Sequence, residues 1–150
     1  MGITDPVATF SACYGEAFLP LHPFTYAKML AEKVEQHHSN VWLVNTGWTG
    51  GQYGKGSRMT LKYTRRIIDG IHNGSFDNCD YKTFPIFNLQ VPTECPGVPS
   101  EILWPQSAWD DQDAFQVTLR KLAEKFQENF KKYEDETPRE VIEKGGPMFD

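Results

Sequence analysis

Apolar residues fall at helical spacing soon after the start of the chain. Tyr26, Met29, Leu30 and Val34 recur every three or four positions, with Lys28, Glu32, Lys33 and Glu35 between them. Pro23 suits a first helical position, where a missing N–H is not needed. The pattern predicts a helix from His22-Pro23 that fades near His37-His38-Ser39-Asn40. Val41 to Asn45 then runs without polar alternation, which predicts a strand buried on both faces. Thr46 to Arg58 reads as a loop holding five glycines, at 47, 50, 51, 54 and 56. A second helix is expected from Thr60 as N-cap, with Leu61, Thr64, Ile67, Ile68 and Ile71 as its buried stripe and Gly74 as its stop.

Between Thr83 and Val91, Phe87, Leu89 and Val91 alternate with polar residues as in a half-buried strand. Pro85 pushes the early part to an edge or an irregular path. Pro92, Pro96, Pro99 and Pro105 predict a long connection without regular structure. The last helix carries the strongest signal. Asp110 or Asp111 can cap it, and Phe115, Leu119, Leu122, Phe126, Phe130 and Tyr133 step by four and three. The segment from Glu134 to Asp150, with two Gly and two Pro, reads as loosely held. No internal repeat interrupts the α/β pattern.

Composition narrows the class. Ten Phe, six Tyr and four Trp supply apolar bulk that argues against disorder throughout. Fifteen basic residues against twenty acidic ones give a net charge of −5, which disfavours broad binding to nucleic acid but leaves room for a local anion site. Three cysteines (Cys13, Cys79, Cys95) without a CxxC pair suggest free thiols in a reducing compartment. No secretory signal and no run long enough to span a bilayer is visible, so a cytoplasmic protein without membrane or nucleic-acid partners is expected. Met1, followed at once by a dense apolar stretch, reads as a truncated or engineered start.

The first candidate for chemistry is the unit from Val41 to Ile71. Glycines let backbone N–H groups approach an anion, and a helix N-terminus adds partial positive charge. Lys55, Arg58, Lys62, Arg65 and Arg66 follow in or just after the loop. The loop is not a Walker A motif, because Thr49 and Gly56 stand where glycine and Ser/Thr are required. The same residues also fit a flexible surface loop beside a solvated basic helix face, and spacing alone does not choose. Cys13 with His22 lacks the orienting third group of a nucleophile–base pair, which favours an inert buried thiol. His37 and His38 point apart on a helix, and His72 near a helix end is explained by the dipole. Asp110, Asp111 and Asp113 lack the glycine and glutamate of an EF-hand and fit capping instead.

Several strings are unusual. Gly2-Ile-Thr-Asp-Pro, Thr9 through Pro23, Leu43-Val-Asn-Thr-Gly-Trp48, Arg58-Met-Thr-Leu-Lys-Tyr-Thr-Arg65 and Phe87-Asn-Leu-Gln-Val-Pro-Thr-Glu94 occur in this order. In order and spacing they resemble the C-terminal part of the ATP-dependent phosphoenolpyruvate carboxykinases. The resemblance covers all but about the last 15 residues. It implies a partial C-terminal mononucleotide-binding domain over residues 2–134, with a mixed sheet and flanking helices, and a loosely ordered tail over 135–150.

The family converts oxaloacetate and ATP to phosphoenolpyruvate, CO2 and ADP with Mg²⁺ and Mn²⁺, as in gluconeogenesis. The resemblance implies that Arg58 lies against the nucleotide, that the backbone of Met59 meets the base and that Thr64 supplies a hydroxyl to the same pocket. The family's phosphate loop, metal ligands and oxaloacetate-binding arginines belong to a segment before residue 2. The chain is therefore expected to be a fragment of a lyase, inactive alone, whose two-faced strand would expose apolar surface. The other readings are a nucleotide-binding module that has lost catalysis and an interaction module that keeps only the scaffold.

Overall fold

The computed structural model describes residues 9–11 and 14–149. Cys13 and the opening Gly2-to-Pro6 string lie outside the described residues. The chain divides into two compact units, residues 1–43 with 125–146, and residues 44–124 with 147–150.

In the first unit, helix α1 spans Pro23–His37, beginning and ending where the sequence signals stand. Its N-cap is His22, whose Nδ1 accepts from the Phe24 N–H at 3.2 Å. His38, at φ 50°, closes the helix in the left-handed region. Tyr26 and Val34 are half-buried, whereas Met29 and Leu30 are exposed. The ring of Phe10 meets Phe126 edge-on at 5.0 Å. Thr137 is buried, donating to the Tyr133 carbonyl at 2.6 Å, and a short helix, Arg139–Lys144, follows it.

The second unit holds the described strands. Trp48–Thr49 (β1) pairs antiparallel with Ser57–Arg58 (β2), and Tyr81–Phe84 (β3) with Leu89–Pro92 (β4). Two two-stranded sheets thus stand in place of the expected mixed sheet. Residues 41–45 are not a strand, and Val41 and Leu43 are 67% and 79% exposed. Apolar character fits a segment for a sheet interior, but an interior strand requires edges on both sides, and no described strand pairs with this one.

The expected strand over Thr83–Val91 is instead a hairpin. It turns at residues 85–88, with Ile86 at φ 67° and Asn88 at φ 52°. Pro85, which has no N–H to give, sits just past the end of β3. The proline-rich connection also contains regular structure, because Pro99 and Pro105 start helical turns at Ser100–Leu103 (α3) and Pro105–Ala108.

Helix α2, Leu61–His72, begins after Thr60 as the sequence predicts. Its buried stripe differs from expectation. Leu61 and Ile68 are exposed, Thr64, Ile67 and Ile71 half-buried, and Gly70 buried. Gly70 faces Phe76, so the close contact of the helix is made by its least bulky residue.

The long helix α4 spans Gln112–Phe130. Asp111 caps it, its Oδ1 accepting from the Ala114 N–H at 2.9 Å. In the second unit, Phe115 and Leu119 pack with Phe84 to form the core, and Trp104, Trp109, Ile86, Phe87 and Val91 surround them. The Trp104 ring meets Phe84 at 5.3 Å and the Trp109 ring meets Phe115 at 5.6 Å, both edge-on.

Candidate nucleotide-binding site

The glycine segment is a hairpin rather than an open loop. Its closure depends on backbone contact that a side chain would forbid. A Cβ on Gly56 would stand 2.5 Å from both the Gly51 and the Thr49 carbonyl oxygens. At the tip, the Lys55 and Gly56 N–H groups both donate to the Gln52 carbonyl, at 3.0 and 2.8 Å. The Gln52 amide in turn donates to the Thr118 hydroxyl of α4 at 2.9 Å, tying the tip to a rigid element. At the base, Asn45 Oδ1 accepts from the Gly47 N–H at 2.9 Å, and the Met59 N–H donates to the Gly47 carbonyl at 2.8 Å.

This ladder fixes where the three candidate residues stand. Arg58 ends β2, directly opposite Trp48. Among the described residues its guanidinium is in no ion pair, and the residue is exposed. Met59 is half-buried, and because its N–H is committed to Gly47, its carbonyl is the backbone group left to meet a ligand. Thr60 is extended and gives no side-chain cap to α2. The Tyr63 and Thr64 N–H groups both donate to the Thr60 carbonyl, and among the described residues no acceptor stands against the Leu61 and Lys62 N–H groups. Thr64 follows in the first turn, its hydroxyl donating to the Thr60 carbonyl at 3.2 Å. That bond uses the hydroxyl proton and leaves the oxygen as an acceptor.

Seven residues thus bring a free guanidinium, a backbone carbonyl and a hydroxyl acceptor to the junction of β2 and α2. Of the other basic residues, Lys62, Arg65 and Arg66 share one face of α2 by their spacing. Arg66 runs beside Gly97, where a Cβ would lie 3.8 Å from its Nε. A separate cavity of about 270 Å³ is lined by residues that include Lys82, Thr93, Ser100, Glu101 and Trp104. None of Arg58, Met59 or Thr64 lines it.

Sequence reading missed the aromatic pair on the hairpin. Trp48 and Tyr53 meet edge-on at 5.2 Å, and the signal was an aromatic on each side of the Gly50-Gly51 turn.

Cys79 and Cys95 are free. Burial, and then the neighbouring Cys79, push the Cys95 thiol above its ordinary range, which keeps it protonated and inert. Among the described residues no three His, Cys, Asp or Glu side chains converge to hold a metal ion. No helix among them is long and apolar enough to cross a membrane.

The family model for phosphoenolpyruvate carboxykinase matches residues 1–101, a span that includes the whole β1–β2–α2 junction. The chain belongs to the phosphoenolpyruvate carboxykinase family. The phosphoenolpyruvate carboxykinase (ATP) of Campylobacter lari is 53% identical over 148 residues, covering 99% of this chain and 28% of that protein. That of Neurospora crassa is 53% identical over 149 residues, covering 98% of the chain and 24% of the relative. For Dictyostelium discoideum the identity is 50% over 145 residues, with 97% and 26% covered. The chain thus spans about a quarter of the length of these carboxykinases.

Proposed function

We propose that this chain is the C-terminal part of an ATP-dependent phosphoenolpyruvate carboxykinase. It acts in the cytoplasm within an enzyme that converts oxaloacetate and ATP to phosphoenolpyruvate, CO2 and ADP. Residues 2–134 belong to its nucleotide-binding domain, with 135–150 as a tail. Its own task is to hold the nucleotide through Arg58, Met59 and Thr64.

The observation that carries this reading is the short junction itself. Among the described residues it presents a guanidinium in no ion pair and two acceptors beside the Leu61 and Lys62 N–H groups, inside the stretch matched by the family model. A guanidinium can stack on a purine or pair with a phosphate, and it stays charged throughout the physiological range. The Met59 carbonyl and the Thr64 oxygen are both acceptors, and adenine offers a donor through its amino group. Guanine turns an acceptor toward the same position. The junction therefore favours adenine.

Mg²⁺ and Mn²⁺ supply charge neutralisation at the transferring phosphoryl group in such an enzyme. Their ligands, the phosphate loop and the oxaloacetate-binding arginines are assigned to the part of the enzyme outside these 150 residues. Formation of phosphoenolpyruvate from oxaloacetate, ATP and Mn²⁺ by the purified chain is thus expected to be undetectable. An ATP-dependent rate above the blank would overturn that assignment.

Titration of the chain with ATP tests the pocket. Arg58→Ala is expected to weaken binding about tenfold, the loss of one guanidinium contact. Equal binding by the variant and the parent chain would remove Arg58 from the site.

A further inference from the structure

We propose that Trp48, braced by Tyr53, is the platform on which the purine ring of the nucleotide stacks. The inference rests on the reading of Arg58, Met59 and Thr64 as nucleotide contacts, and adds a residue to them. Trp48 is the direct cross-strand partner of Arg58, while Thr49 pairs with Ser57. Residues directly opposite in an antiparallel pair project from one face, and their neighbours project from the other. The indole and the free guanidinium therefore leave the hairpin side by side.

The platform is open and held in place. Trp48 is 43% exposed and Tyr53 53% exposed, although large aromatic surfaces gain by being covered. Their rings stand at 87° with centroids 5.2 Å apart, so the tyrosine limits rotation of the indole without covering it. The hairpin beneath is fixed by the Gly51–Gly56 approach, the Gln52 anchor to Thr118 and the Met59–Gly47 hydrogen bond.

Stacking on an indole accepts any base, because every base has a π-face. The platform supplies affinity for a base without selecting which one. Selection of adenine falls to the Met59 carbonyl and the Thr64 oxygen.

The test is ¹⁵N NMR of the full 150-residue chain titrated with ATP, adenosine and inorganic triphosphate. The Trp48 indole N–H is assigned by its loss in Trp48→Phe. ATP and adenosine are expected to shift it, and triphosphate is not. Trp48→Ala should weaken ATP binding roughly tenfold, while Trp48→Phe keeps a stacking face and should stay within about threefold of the parent. Unchanged amide positions in the Phe84–Phe115–Leu119 core confirm that each variant folds. If ATP shifts the Met59–Thr64 amides and leaves the Trp48 indole unmoved, the platform is overturned and the nucleotide reading stands. A Trp48→Ala chain that binds ATP like the parent likewise overturns the platform, as does triphosphate shifting the indole as far as ATP. If ATP moves neither set of resonances, both readings fail together.

Discussion

Replacing Phe76 with alanine is expected to cost about 3–5 kcal/mol and to leave the second unit largely unfolded at physiological temperature. Phe76 is 2% exposed and the largest fully buried side chain among the described residues. A Cβ at Gly70 would stand 3.0 Å from its Cε2 and 3.7 Å from the Cys95 Sγ, so the ring and the Cys95 thiol both close on α2 at this glycine. The Tyr81 hydroxyl also donates to the Phe76 carbonyl at 2.9 Å, which ties the start of β3 to the same point. Removing the ring leaves a void bordered by glycine, which has no side chain to lean in and fill it. Urea unfolding followed by far-ultraviolet circular dichroism would measure the loss. A shift below about 1 kcal/mol would mean that this contact does not organise the unit.

Gly56→Ala is expected to open the β1–β2 hairpin and abolish nucleotide binding, whereas Gly54→Ala leaves both in place. The two glycines lie two residues apart, and their surroundings differ. At Gly56 the added methyl meets two carbonyl oxygens at 2.5 Å and the Gly51 nitrogen at 2.8 Å. These are backbone atoms of β1 and of the turn just beyond it, and they can retreat only if the hairpin opens. Gly54 has φ +87° and nothing within 4 Å of its Cβ position. Alanine there carries only backbone strain of about 1–2 kcal/mol. Loss of the Met59 amide protection in Gly56→Ala, with protection kept in Gly54→Ala, is the expected hydrogen-exchange result. Comparable behaviour of the two variants would show that the close approach does not hold the hairpin.

The helices were legible because their ends carry local chemistry. His22-Pro23, Thr60 and Asp111 mark starts, and the left-handed residue after α1 falls where apolar periodicity stops. Periodicity identified an apolar face on α1 and α2 but not whether anything covers it, as exposed Met29, Leu30 and Leu61 demonstrate. Sheet partners were not legible at all. Val41–Asn45 has the composition of an interior strand, yet pairing depends on edges that other segments must supply.

The Thr83–Val91 hairpin was hidden by Ile86, a β-branched residue in a left-handed turn position that sequence rules assign to Gly or Asn. The β1–β2 hairpin was masked because its glycines serve close backbone packing, while the same spacing also fits an open anion-binding loop. At the site, Arg58, Met59 and Thr64 were drawn from family resemblance. The commitment of the Met59 N–H to Gly47 and of the Thr64 proton to Thr60 follows from how the backbone closes, which no sequence pattern announces.

The most direct measurement is the transferred nuclear Overhauser effect between ATP and the chain. Cross-peaks from the adenine H2 or H8 proton to the Thr64 methyl and the Met59 side chain are expected, and they should weaken in Arg58→Ala. Cross-peaks confined to residues elsewhere, such as those lining the Lys82–Trp104 cavity, would contradict a nucleotide site at the junction of β2 and α2.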